Sequence, residues 1–177
     1  MTVIVRPSTP EDAPELAEVA ALTFGLACPP STTQDAKDDF LSNVLSESNF
    51  DAYLADPGRE VIVVADDSGA ILGYTMLVHG DPSDDEVASA ISIRPTIELS
   101  KCYVLATHHS SGAAARLMQA TLDTAARLGC AGVWLGVNVE NQRAQRFYAK
   151  HGFVRVGTKH FLLGGQLEDD WVMERAL

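Results

Sequence analysis

The order of residues predicts a mixed α/β fold, α+β in arrangement, on three observations. Residues 97–128 pass from a strand-like segment through a turn of small residues into a segment of helical period. Residues 60–78 hold two dense apolar runs separated by Asp66-Asp67-Ser68-Gly69, the pattern of an antiparallel hairpin. Around these units, segments of period two and of period 3.6 follow one another along the chain, with no internal repeat and no low-complexity tract.

Val3 to Arg6 alternates and predicts a first strand. Ser8-Thr9-Pro10-Glu11-Asp12 reads as a helix start, with Thr9 as N-cap and Asp12 closing a capping box, or with Asp12 itself as the cap before Pro14 and Glu15. Leu16, Val19, Ala20, Thr23 and Phe24 form the apolar face of that helix, which ends before Cys28-Pro29-Pro30. A second helix is predicted from Thr33 to Leu45 with Phe40, Leu41, Val44 and Leu45 inward, and Phe50, Tyr53 and Leu54 add a short helical turn. After the hairpin, His79 to Pro95 is polar and irregular, with Asp81, Asp84, Asp85 and Glu86 crowded together, and predicts a solvated loop. Ile97 to Leu105 reads as a strand. Ala114, Leu117, Met118, Thr121, Leu122, Ala125 and Leu128 then recur at helical spacing, with Gly129 as C-cap. Gly132 to Val139 is another apolar strand, and Asn141 to His151 a helix with Ala144, Phe147 and Tyr148 inward, ended by Gly152. Phe153 to Leu163 and Trp171 to Leu177 read as two closing strands around Gly164-Gly165.

A chain of 177 residues is expected to form one domain, large enough to bury roughly 70% of its unfolded surface. The apolar fraction is 46%, and no stretch approaches the ~20 apolar residues that span a bilayer, so a soluble protein with no membrane partner is expected. Met1 to Pro7 is too short and too alternating for a signal peptide, which points to the cytoplasm. Cys28, Cys102 and Cys130 are odd in number with no close pairing, as reduced thiols are. His79, His108, His109, His151 and His160 form no ligand spacing with them, so no metal is expected. The net charge of −11 with 13 dispersed basic residues argues against nucleic acid. It suits solubility, or a field that draws small cations.

The turn His109-Ser110-Ser111-Gly112-Ala113-Ala114 has little side-chain bulk where the first amides of a helix lack intrahelical partners. Such a turn either just joins strand to helix or holds a phosphate against the amides and the positive end of the helix dipole. Taken with Asn141-Gln142-Arg143-Ala144-Gln145-Arg146-Phe147-Tyr148-Ala149-Lys150-His151-Gly152-Phe153, the order of elements resembles the GNAT superfamily of acetyl-CoA-dependent N-acetyltransferases over nearly the whole chain. The turn matches that family's Gln/Arg-x-x-Gly-x-Gly/Ala, and the second stretch its Asn-x-x-Ala-x-x-Phe-Tyr-x-x-x-Gly-Phe. The turn departs from the pattern in having His109 for Gln or Arg and Ala114 for the second Gly.

The resemblance implies a central, mixed, mostly antiparallel sheet of six to seven strands with about four helices, and a bulge that parts the fourth and fifth strands. It implies acetyl-CoA as co-substrate, its pantetheine arm on the backbone of Cys102, Tyr103 and Val104. Its pyrophosphate would rest on the amides of Ser110, Ser111, Gly112, Ala113, Ala114 and Ala115, with a side-chain contact from Asn141. His109 would offer a hydrogen bond without arginine's permanent charge. Direct attack by an amine in a ternary complex is the implied reaction. Tyr148 would be its general acid unless it only fills the core, and a backbone N–H near Val104 the oxyanion donor.

For the base, Glu98 shares side-chain parity with Ser100, Cys102 and Val104 on the fourth strand, and is either substrate-facing or solvated at an edge. His160 is a second candidate, and a covalent route through Cys102 lacks an identifiable activating base. Phe161-Leu162-Leu163-Gly164-Gly165 with Asp170, Trp171 and Met173 resembles a bacterial branch that includes polyamine acetyltransferases. A small-molecule primary amine, polyamine-like by preference, is therefore the expected acceptor, with amino acids, aminoglycosides and protein N-termini left open. An acyl-CoA sensor without turnover is the competing class, and a homodimer is expected from the resemblance alone.

Overall fold

The computed structural model describes residues 2–177. Strands β1 (Ile4–Pro7), β2 (Arg59–Ala65), β3 (Ile71–His79), β4 (Thr96–Val104), β5 (Gly132–Asn138), β6 (Val154–Leu163) and β7 (Gln166–Ala176) form one sheet in the order β1-β2-β3-β4-β5-β7-β6. Every pairing is antiparallel except β4 with β5. The helices are α1 (Ala13–Ala27), α2 (Gln34–Val44), α3 (Glu47–Ala55), α4 (Asp85–Ala90), α5 (Ala113–Arg127) and α6 (Gln142–Lys150). This is the mixed α/β arrangement expected.

Period-two alternation sorts the strands' side chains between two layers. Val61, Val63, Tyr74 and Met76 pack under α1 and α3 with Leu16, Phe24 and Phe50. Ile62, Val64 and Leu72 meet Leu117 of α5 on the other face, where Leu77, Ile97 and Leu99 meet Met118 and Leu122. A buried hydrogen bond of 2.7 Å between the Thr75 and Thr121 hydroxyls ties α5 to β3. Among the described residues no helix is long and apolar enough to cross a membrane.

Three local expectations change. Residues 79–95 are more than a solvated loop, because they include α4, started by the Asp84 carboxylate accepting from the Glu86 and Val87 amides at 2.8 and 3.3 Å. Val87 and Ile91, four apart, are buried against Trp134 and Val172, and two apolar residues are too few to show a helical period in a polar stretch. The helical turn around Phe50 is a full nine-residue helix, capped by Ser46. Strand β7 begins at Gln166 instead of Trp171, since Gly164 and Gly165, at φ 56 and 76°, make a two-residue turn that pairs Leu163 with Gln166. Its first residues face solvent and carry no apolar signal.

The sheet comes apart at one place. Strand β4 pairs with β5 only through Thr96, Ile97 and Glu98, and beyond Glu98 the two strands separate. On the β3 side, Met76 faces Lys101 but Leu77 faces Leu99, so Ser100 is left over as a β-bulge. The far end of β4 lies tightly on β3: a Cβ at Gly73 would stand 2.6 Å from the Tyr103 carbonyl oxygen and 2.8 Å from Val104 Cγ2. Replacing Gly73 by alanine overpacks this seam. We expect Gly73→Ala to lower stability by about 1–3 kcal/mol, read as a drop in the midpoint of urea unfolding.

Candidate active site

The parted strands leave an edge of β4 that no strand covers. The Leu105 N–H donates to the Leu72 carbonyl on β3 at 2.8 Å, so the Tyr103 backbone groups also face β3, while those of Cys102 and Val104 face the gap. Of the three residues expected to offer backbone to a pantetheine arm, Cys102 and Val104 turn theirs to the gap, and Tyr103 turns its to β3. Tyr103 contributes its side chain instead, to the walls of both cavities that open along the gap.

One cavity, of about 210 Å³, is bounded by Val104, His109, Ala114, Arg143 and Phe147. The turn of small residues closes it. Gly112 precedes α5 in the left-handed conformation, φ 80°, which favours a residue without Cβ. In this turn the His109 and Ser111 amides are spent on the Ala106 and His108 carbonyls, and the Ala113 amide on Ser111 Oγ at 3.3 Å. Among the described residues, the amides of Ser110, Gly112, Ala114 and Ala115 have no such partner. Four of the six expected donors are therefore open for a diphosphate, and two are not.

His109 does not face that opening as a free donor. Its Nε2–H donates to the Val104 carbonyl at 2.7 Å, while its Nδ1 accepts from the Arg143 guanidinium, a pairing that holds the ring as the neutral tautomer. The permanent charge that His109 lacks is thus supplied next to it by Arg143, from the first turn of α6. Asn141 caps α6, its side-chain oxygen accepting from the Ala144 amide at 3.1 Å, which leaves its amide hydrogens for a ligand. Gln145, also buried, ties α6 to β5 by donating to the Asn138 and Val139 carbonyls.

The second cavity, of about 220 Å³, lies on the α1 face between Phe24, Phe40 and Phe161 on one wall and charged residues on the other. Both cavities reach Cys102, Asn141, Ala144 and Tyr148, so they meet at those residues. Tyr148 packs on Phe147 and Phe153, yet it also stands beside the Cys102 thiol. Burial, and the neighbouring Cys102 and Tyr103, hold the Tyr148 phenol well above its usual range. It therefore keeps its proton at neutral pH. Burial likewise pushes the Cys102 thiol up to about 12, so Cys102 is not a thiolate and offers no activated nucleophile.

The charged wall holds Glu98, Lys101, Lys159, Glu168 and Asp170. Glu98 is half-buried where β4 and β5 part. Burial raises its carboxyl, against the pull of Lys101, Lys159 and Arg59. It does not share a face with Cys102 and Val104 as an unbroken alternation predicts: the bulge at Ser100 inserts one residue, and Glu98 lies on the face of Lys101 and Tyr103. Burial also pushes Asp170 up to about 6, with Lys159 opposing and Glu168 and Asp169 adding to the rise. His160 is not in this wall. Its Nδ1 lies 2.9 Å from Glu86 and its Nε2 3.4 Å from Asp169, on the exposed side of β6. No group of three or more His, Cys, Asp or Glu side chains among the described residues is placed to hold a metal ion.

Five residues of the site, Lys101, Arg143, Lys159, Glu168 and Asp170, are absent from the sequence-derived set of site residues. Asp170 alternates with Val172 and Glu174 along β7 and all three are buried, an inward placement that the residue types alone do not announce.

Residues 29–153 match the family model described as acetyltransferase (GNAT) family. An uncharacterized N-acetyltransferase of Mycobacterium tuberculosis is 49% identical over 166 residues, covering 94% of this chain and 98% of that one. The PaiA N-acetyltransferase of Thermoplasma acidophilum, solved in complex with coenzyme A, superposes with a TM-score of 0.77 at 18% identity, all of both chains covered. A chimera of the Vibrio cholerae spermidine N-acetyltransferase SpeG with hSSAT gives 0.69 at 20% identity, over 99% of this chain and 96% of that one. At such identities these two likenesses speak for the fold. The family match and the mycobacterial relative show that the chain belongs to the acetyltransferase (GNAT) family, as an acetyltransferase of the GNAT kind.

Proposed function

We propose that this acetyltransferase moves the acetyl group of acetyl-CoA to the primary amine of a small molecule by direct attack in a ternary complex. The observation that carries this reading is the meeting of the two cavities at Tyr148 and Cys102, one bordered by Ala114 of the turn and by Arg143 and the other by carboxylates. The residues present suit the co-substrate. The unpaired edge at Cys102 and Val104 fits a pantetheine arm, and the amides of Ser110, Gly112, Ala114 and Ala115, with Arg143, fit its diphosphate.

The thioester supplies an activated carbonyl and a thiolate leaving group, so that an N–C bond forms as the C–S bond breaks. Tyr148, still protonated at neutral pH, gives its proton to the departing sulfur. The Val104 N–H on the open edge donates to the carbonyl oxygen as charge builds there. Glu98, at the floor of the cleft and raised by burial, takes the amine's proton through water. Asp170 holds the incoming ammonium from the opposite strand. Of the acceptors left open by the sequence, a polyamine meets three carboxylates here but also two lysines.

Release of free thiol from acetyl-CoA across a panel of amines tests this reading directly. Acetyl-CoA binding in a titration, with thiol release accelerated by no amine, overturns it in favour of a sensor. We expect Tyr148→Phe to lower kcat by about 100-fold with little change in the KM for acetyl-CoA. Arg143→Ala is expected to raise the KM for acetyl-CoA about tenfold while turnover of S-acetylpantetheine, which has no diphosphate, is unaffected. Asp170 is charged only above about pH 6, so kcat/KM for a cationic acceptor should fall as pH drops through that value. In Asp170→Asn that acidic limb should vanish from the pH–rate profile.

A further inference from the structure

Charged groups in this chain are unequally supplied, with 24 acidic against 13 basic residues. Arg6, Arg59 and Arg94 each lie near a carboxylate, at 2.7, 3.1 and 3.5 Å. The two lysines in the wall of the 220 Å³ cavity do not. Glu98, Glu168 and Asp170 line the same space, yet among the described residues neither Lys101 nor Lys159 has a carboxylate oxygen within 4.0 Å. Lys101 makes one hydrogen bond, to Ser100 Oγ at 3.3 Å. Lys159 reaches over Gly136, and its Nζ stands 5.6 Å from the centre of the Phe161 ring. The missing side chain at Gly136 makes this possible, since a Cβ there would lie 2.9 Å from Lys159 Cε and 3.2 Å from Asp170 Oδ2.

Two lysine amines and three carboxylates thus line one cavity with none of them in ion-pair contact with another. Partly desolvated charges left unpaired cost free energy that a ligand of complementary charge recovers. We infer that the acceptor is zwitterionic: besides its amine it carries an acidic oxyanion group, carboxylate or phosphonate, received by Lys101 and Lys159. The inference rests on the acetyl-transfer reading and names the acceptor within it. A purely cationic acceptor would set its own ammonium groups against both lysines, while a zwitterion answers both signs. The stacked rings of Phe24 and Phe40, 4.5 Å apart, offer an apolar wall to its carbon skeleton.

The test is thiol release from acetyl-CoA with matched acceptors: small, aliphatic and aromatic α-amino acids, their aminophosphonate analogues, their methyl esters, and spermidine. The expected result is a kcat/KM at least about tenfold higher for acid-bearing members than for the esters or spermidine, the value of one charged hydrogen bond. Comparing carboxylates with phosphonates identifies the acidic group. Lys101→Met should lower the ratio of kcat/KM for the preferred acid to that for its methyl ester about tenfold, with Lys159→Met as an independent variant. Ester turnover reports that each variant is folded. A wild-type preference for esters or spermidine, or an acid-to-ester ratio unchanged in both variants, overturns the inference while transferase activity stands. Thiol release with no member, despite acetyl-CoA binding, overturns both.

Discussion

Glu98 is the last residue of β4 to pair with β5, and Ser100, two residues on, is the one left over against β3. A parallel ladder that stops there exposes a strand edge inside the fold, where backbone groups without partners are costly. The gap is stable because its rims are held from elsewhere. On one side β3 grips β4 through the close approach at Gly73, and on the other β7 pairs with β5 along its whole length. The α6 start is tied to the end of β5 by Gln145. What remains uncovered is a slot with backbone donors and acceptors on one wall and α6, with Asn141 and Tyr148, on the other.

The same bulge sorts the chemistry. One extra residue reverses the alternation of β4, so that Lys101 joins Glu98 and Tyr103 on the α1 face while Cys102 and Val104 go to the α5 face. Charged groups collect on the face where an acceptor would enter. The 210 Å³ cavity is lined by Cys102, Tyr148 and Phe147, and burial keeps the thiol and the phenol protonated. A protonated phenol thus lies on one side and raised carboxylates on the other. Burial produces both because it disfavours charge on every acid alike.

The strands and long helices were legible because their residues repeat at the period of the element they form. The turn at 109–114 was legible as a cradle, yet its inner hydrogen bonds were not: whether the Ser111 and Ala113 amides point to a ligand or to their own turn depends on dihedral angles. His109 looked like a weakened phosphate contact. It serves instead as a spacer between the Val104 carbonyl and Arg143, a partner 34 residues away. Helix α4 was hidden because Val87 and the following Ile91 alone, in a polar stretch, leave no period, and Asp170 because a charged residue in a closing strand looks like surface until its neighbours are known.

The amino-acid order by itself determined the family resemblance, the succession of elements, the bare turn before α5 and the place of Tyr148 on α6, all consequences of local spacing. Only the tertiary structure decided which face Glu98 and Lys101 share, that Tyr103 spends its backbone on β3, and that His160 lies away from the cavity while Asp170 lies in it. Those outcomes depend on where two strands stop pairing. Pairing is settled by the packing of distant segments against one another, a competition that no stretch of sequence contains alone.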